Sequence, residues 1–370
     1  MLLKSAACLL VRTTSLPALT VFIGTNTGKN TTSKGIYAAD FDPVSGKLSE
    51  PNLAAAYQSP GFLAVHPKLP VLYAVGAPNK PYADATSAVA AFAIAADHHL
   101  TFLGETSTGG KGACHLAVDP AGGTVAVAHY SDGRISTVRL NDQGAPVATV
   151  SVISNQGSGP NQTRQAGPHA HGVYFDMSNH HLCVPDLGLD KVLVYPFDPA
   201  TSKLGGCLPP LTTAPGAGPR HMAFSPDEKY AYVINELDNT VLAASYQDGT
   251  LMALGTVPTL PKDFAGNNTT AEIEVSPDGC FAYASNRGHD SITVFRRDVK
   301  SGALTLLQHA PCGGKTPRHF KLAPGGKWLL CAHQDANTIS VLPLNPQTGE
   351  PGPPASTVPS PSPICILFAR

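Results

Sequence analysis

Apolar residues in this chain fall in short runs broken by tight turns, and few of them recur at helical spacing. Residues 218–237, GPRHMAFSPDEKYAYVINEL, show the pattern most clearly. AFS and YAYVI flank the turn SPDEK, which predicts a β-hairpin whose two ends lie side by side. The pattern returns in FLAVHPKLPVLYAVGAP, CHLAVDPAGGTVAVAHYSDG, HGVYFDMSNHHLCVPDLG, EIEVSPDGCFAYASNRGHD and RHFKLAPGGKWLLCAHQDAN. Pro67, Pro120, Pro226, Pro277 and Pro324 mark most of the turns, and the period of roughly 50 residues is that of propeller arrays.

Several copies run on into a third strand, SITVFRRD or TISVLPLN, and the first of these continues through a glycine turn into ALTLLQHA. Four short strands make one propeller blade. With the N-terminal unit TVFIGTNTGKNTTSKGIYAADFDPVSGKL the count reaches about seven, a number that closes a ring and protects its edges. The predicted fold is therefore all-β, a seven-bladed β-propeller of four-stranded blades. ICILFAR at the C-terminus has the length of one strand. It is expected to complete the first blade and so close the ring.

The repeat leaves no linker, so residues 20–370 are expected to form one domain behind a leader at 1–19. That leader has Lys4, a short apolar stretch interrupted by Arg12, and small residues near Ala18, the outline of a degraded signal peptide. A cytoplasmic location is expected, with export as the alternative if the leader functions. The formal net charge of −1, with Lys and Arg scattered, gives no footprint for nucleic acid or an anionic membrane surface. No apolar run approaches the roughly 20 residues of a membrane-spanning helix. The eight cysteines show no C-x-x-C spacing, so buried free thiols are expected rather than a zinc or redox motif.

Hairpin geometry places the start of each first strand beside the end of the second. His115 is thereby expected near Tyr130 and Asp132, and His171 near Asp186. Arg220 and His221 fall near Glu236, Glu272 and Glu274 near Asn286 and Arg287, and Arg318 and His319 near His333 and Asp335. All approach one mouth of the ring, while Asp227, Asp278 and Lys327 belong to the opposite face. Arg220, Arg287 and Arg318 each offer a planar fork of donors, and the mixture suits an anionic small molecule. No spacing announces a compact calcium or zinc ligand set, and neither a catalytic metal nor a cofactor is expected. Oligomeric state is not legible.

The sequence resembles the seven-bladed β-propeller lactonases, a family that includes bacterial-type 6-phosphogluconolactonases and carboxymuconate-lactonizing enzymes. FIGTNT, GPHAHG, GPRH with the later NEL, AEIEVSPDG followed by YASNRGHDSI, TPRHF and the closing strand carry the resemblance over nearly the whole chain after the leader. It implies a metal-free site of one His, two Arg and one Glu: His171, with His169 as its rival, together with Arg220, Arg287 and Glu236. His169, His115, His221, Asn286, Arg318 and His319 are expected to line the substrate site. The implied activity is hydrolysis of a small anionic sugar-acid lactone such as 6-phosphogluconolactone. In that reading Glu236 takes a proton from water, Arg220 or His171 stabilises the oxyanion, and Arg287 holds the anionic end. The roles of Glu236 and His171 are interchangeable at this level. A lactone-forming cycloisomerase on the same site and a non-catalytic binding propeller are the alternatives.

Overall fold

The computed structural model describes residues 17–83 and 85–369. The leader expected over 1–19 lies outside the described residues up to position 16, and a strand begins at Leu19. Strands assemble into seven antiparallel sheets arranged as successive blades. Position within a blade is written in the burial pattern. Second strands such as Val71–Gly76 and Thr124–His129 are buried at every residue, because neighbouring blades cover both of their faces. An outermost strand, Thr250–Pro258, is mostly exposed.

Seven apolar clusters fill the structure, and each lies between adjacent blades. Val71, Tyr73 and Val75 of the second blade, for example, pack against Leu116, Val125 and Val127 of the third. A recurring polar contact joins the same neighbours. Tyr73 donates its hydroxyl to the Gly144 carbonyl (2.7 Å), Tyr232 to Gly302 (2.9 Å) and Tyr283 to Gly349 (3.0 Å). Each buried phenol thus reaches the outer turn of the following blade, where the glycine has positive φ. A buried tyrosine needs such a partner for its hydroxyl.

The ring closes as expected. Pro363–Phe368 is the innermost strand of the first blade and pairs with Leu19–Thr25, with Ile23 opposite Ile366 and Val21 opposite Phe368. Val21, Ile23, Ile366 and Phe368 then pack on Leu330, Ile339 and Val341 of the last blade. The fourth blade departs from four regular strands. Its inner strand is only Tyr174–Phe175, and its outer edge is split into Lys203–Leu204 and Leu211–Thr212. Gly205, Gly206, Pro209 and Pro210 interrupt that edge, and proline supplies no ladder N–H. Upstream of it Ala170 makes an isolated bridge to Asp186, so the inner edge is interrupted at Gly172 and Val173.

Ile366 therefore carries closure energy as well as core packing. Ile366→Ala is expected to lower unfolding stability by about 2–5 kcal/mol, the range for a buried Ile truncation. Ile364→Ala, at the half-buried register shift near the start of the same strand, should cost much less. Urea unfolding of both variants checks this.

Candidate active site

A defect in the ladders builds the mouth. In four blades the innermost hairpin shifts register near its entry: between Pro219 and His221, Pro317 and His319, Ala113 and His115, and Thr270 and Ile273. A bulge inserts an extra residue and re-aims side chains that would otherwise alternate between faces. Arg220 and Arg318 occupy two of these inserted positions. Consecutive residues Arg220 and His221 consequently both face the ring axis, where Arg220 meets Glu236 and His221 meets the rings of Phe62, His115 and His171.

Glu236 follows the strand Tyr230–Asn235 and is anchored by its own backbone N–H, which donates to the Gly218 carbonyl at 2.7 Å. Its carboxylate is the hub of the site. Oε2 lies 3.0 Å from Arg220 Nε and 3.1 Å from Arg287 Nη2, while Oε1 accepts a 2.6 Å hydrogen bond from Arg164 Nη2. The Arg220 contact lacks hydrogen-bond alignment and is an ion contact. His171 Nε2 stands 3.9 Å from Oε2. The guanidiniums are fixed from behind: Arg220 donates to the Ala271 carbonyl at 2.6 Å and Arg287 to the Thr270 carbonyl at 2.7 Å.

Glu236 is 5% exposed, and burial alone would favour its neutral form. Arg287, Arg220 and the Arg164 hydrogen bond reverse that and hold the carboxyl well below the usual carboxylate range. His171 moves the other way. Buried beside Arg220 and His221, it titrates well below an ordinary imidazole and is neutral at physiological pH. Burial lowers Arg287 to about 9 and Arg318 to about 10, so both remain cations at neutral pH. Arg164, Arg220 and Arg287 thus contact one carboxylate, and Arg318 lies near enough to feel its charge. Among the described residues, nothing forms a hydrogen bond or ion pair with the Arg318 side chain.

Of the residues expected here, Glu236, His171, Arg220, Arg287 and Arg318 come together. His169 lies at the rim, stacked on Tyr130 with ring centroids 4.6 Å apart, and its backbone is held by Asp186. His171, not its rival, touches Glu236. His115, His221 and His319 form a deeper layer around Phe62. There Glu272 Oε2 lies 2.9 Å from His221 Nδ1 and 3.4 Å from His319 Nε2. Asn286 is fully buried, and its amide is used by Ser291 and Thr293 of its own blade and by Thr259 and Asn268 of the connector from the preceding blade. A cavity of ≈ 570 Å³ lies on the other side of the histidine layer, lined by Phe62, Tyr174, Glu272 and Lys321 and bounded by Pro277. None of the four arginines lines it.

Arg164 was not among the residues expected at the mouth, and Tyr130 was expected there only as a neighbour of His115. Arg164 bonds both Glu236 and the Tyr130 hydroxyl, at 2.6 and 3.1 Å. It sits in the irregular stretch between the third and fourth blades, outside every hairpin repeat, and its closeness to GPHAHG is the only sequence signal. Asp190 secures that stretch. One oxygen accepts from Gln165 (2.7 Å) and Gly218 N–H (2.8 Å), the other from Gly216 N–H (2.7 Å), tying the Arg164 segment to the connector that leads into Arg220.

Residues 20–368 match the family described as "Lactonase, 7-bladed beta-propeller". A 6-phosphogluconolactonase of Bacillus subtilis is 34% identical over 350 residues, 94% of this chain and 97% of that one. A 6-phosphogluconolactonase of Formosa agariphila is 31% identical, covering 89% of this chain and 94% of its own. Among solved structures, a Lactobacillus plantarum protein superposes with a TM-score of 0.88 at 31% identity, over 95% of this chain and all (100%) of that one. The periplasmic gluconolactonase of Pseudomonas aeruginosa gives 0.87 at 28% identity, over 95% and 99%.

The buried charges set the acid stability. His115, His171 and His221 are neutral when folded but take protons in the unfolded chain below about pH 6.5, so stability falls as the pH drops through that value. Glu236, lowered in the folded state, adds stability above its unfolded value of 4.5 that is lost at still lower pH. Glu236→Gln leaves its arginines unbalanced and is expected to cost about 3–5 kcal/mol at neutral pH. It should flatten only the lower limb of the profile. Chemical denaturation across pH, wild type against variant, measures both effects.

Proposed function

The chain belongs to the seven-bladed β-propeller lactonases, and from that membership we propose that it hydrolyses a phosphorylated sugar-acid lactone, 6-phosphogluconolactone. The observation that carries this reading is the charge of the mouth: three guanidiniums contact one carboxylate, and a fourth, Arg318, has no hydrogen-bond or ion-pair partner among the described residues. A concave site with surplus fixed positive charge recruits an anion, and a guanidinium fork matches phosphate oxygens in pairs. The names of the Bacillus and Formosa relatives support the same substrate.

Glu236 acts in this mechanism as the counter-ion that spaces Arg164, Arg220 and Arg287, because a carboxylate gripped by three cations is a poor proton acceptor. His171 is the better base: it is neutral, buried and 3.9 Å from a carboxylate that stabilises its protonated form. Water attacks the lactone carbonyl carbon while His171 Nε2 takes its proton. Arg220 and Arg287 receive the developing oxyanion, a role preorganised donors fill without reorganisation. The tetrahedral centre then collapses, the ring C–O bond breaks, and the departing alkoxide recovers the proton from His171. The product is the open-chain hydroxy acid. Arg318 binds the phosphate.

His171→Gln should lower kcat by about 10²–10⁴-fold, the span of a positioned acid–base group. Arg318→Ala should reduce kcat/KM for 6-phosphogluconolactone by roughly 10–150-fold, equivalent to about 1.5–3 kcal/mol for a charged hydrogen bond. Gluconolactone without phosphate should be little affected. Rates are read against spontaneous hydrolysis, with carboxymuconate assayed in parallel. An equal loss on both lactones contradicts the phosphate role of Arg318, and turnover of carboxymuconate alone contradicts the hydrolytic reading.

A further inference from the structure

A second group of chemically able side chains takes no part in this reaction. Cys312, Cys331 and His333 are fully buried, and one ligand atom from each lies within 4.8 Å of the other two. His333 Nδ1 is 3.9 Å from Cys312 Sγ and 4.0 Å from Cys331 Sγ. Cys331 and His333 alternate on the strand Trp328–His333 and so share a face. Cys312 comes from another segment, just past the strand Leu304–Pro311.

The imidazole is oriented for this role. His333 Nε2 is 3.2 Å from Ser340 Oγ, and that hydroxyl donates its proton to the Gly313 carbonyl at 3.3 Å. Ser340 Oγ therefore accepts from Nε2–H, which leaves the lone pair of Nδ1 turned to the two sulfurs. The connector lies flat on the ring, since a Cβ at Gly314 would stand 2.4 Å from it. An outward hydrogen bond that fixes the tautomer is what metal-binding histidines commonly carry. The Cys312 Sγ–H donates to the carbonyls of Asp290 and Gly314, 2.9 and 3.2 Å away, hydrogen bonds that are given up when the thiol is deprotonated.

We propose that Cys312, Cys331 and His333 supply three of the four ligands of a Zn²⁺ ion. Tetrahedral zinc with Zn–S of about 2.3 Å and Zn–N of about 2.0–2.1 Å spaces sulfur and nitrogen by roughly 3.6 Å. The observed separations need only a small contraction to meet it. Binding breaks two S–H bonds, forms two Zn–S bonds and one Zn–N bond, and releases two protons to solvent. Two thiolates and a neutral imidazole then balance the dication, which a dry interior requires. The ion would pin the connector 312–316, which leads directly into Pro317 and Arg318. The inference rests on the fold and not on the lactone reading.

The full chain is refolded with Zn²⁺ or with a chelator, and bound metal is measured after gel filtration. Cobalt(II) substitution reports sulfur ligation through a thiolate charge-transfer band. One zinc per chain is expected in the wild type and in Cys207→Ser, which changes an exposed thiol. Cys331→Ser should lose the metal. Ser340→Ala keeps all three ligands and should weaken zinc affinity by about 10–100-fold. Wild-type protein that stays metal-free in excess zinc, a cobalt form without the thiolate band, or unchanged affinity in Ser340→Ala would overturn the assignment.

Discussion

The carboxylate of Glu236 is shared by three guanidiniums, and the architecture of the mouth follows from that sharing. Arg164, Arg220 and Arg287 come from three separate parts of the chain. Without a common counter-ion they would repel one another inside a largely buried site. Charges taken out of water are tolerated only when paired and hydrogen-bonded. Here Oε1 and Oε2 divide the cations between them, while backbone carbonyls of Ala271 and Thr270 take further guanidinium protons. The cluster still carries surplus positive charge, and that surplus is what remains for a ligand.

The ring makes the cluster possible. Seven interblade cores hold the hairpin ends at fixed positions around one axis, and the C-terminal strand removes the seam that would let them drift. Bulges at the entries of the inner strands then convert positions that would face a neighbouring blade into positions that face the axis. Stability and function are coupled through these features. A buried, charged mouth is supported by packing on all sides, and the deeper histidine layer with Glu272 closes the axis beneath it.

Much of this was legible in the residues. Repeated hairpins with turn prolines at roughly 50-residue spacing point to a propeller, and the rule that a hairpin's two ends share a face put Arg220 beside Glu236 and Arg287 at the same mouth. Other parts were not. Nothing in the spacing of Pro219, Arg220 and His221 reveals a bulge, because the shift arises from pairing with Asn235 and Ile234. Arg164 lies in an irregular segment with no repeat partner to compare. Asn286 resembles a site residue by position, yet its amide is spent on its own blade and on the connector that leads into it. The cluster of Cys312, Cys331 and His333 forms across two segments, so no short-range spacing could announce it.

The central claim is that Glu236 stays ionised as the anchor of the arginines and leaves proton transfer to His171. The most direct test is the carboxyl ¹³C resonance of Glu236, assigned by comparison with Glu236→Gln, followed as the folded protein is acidified. The account requires that resonance to hold its ionised position through pH 4.5, the ordinary value for a glutamate. A titration midpoint at or above that value would show a carboxyl free to act as the base, and would contradict the account.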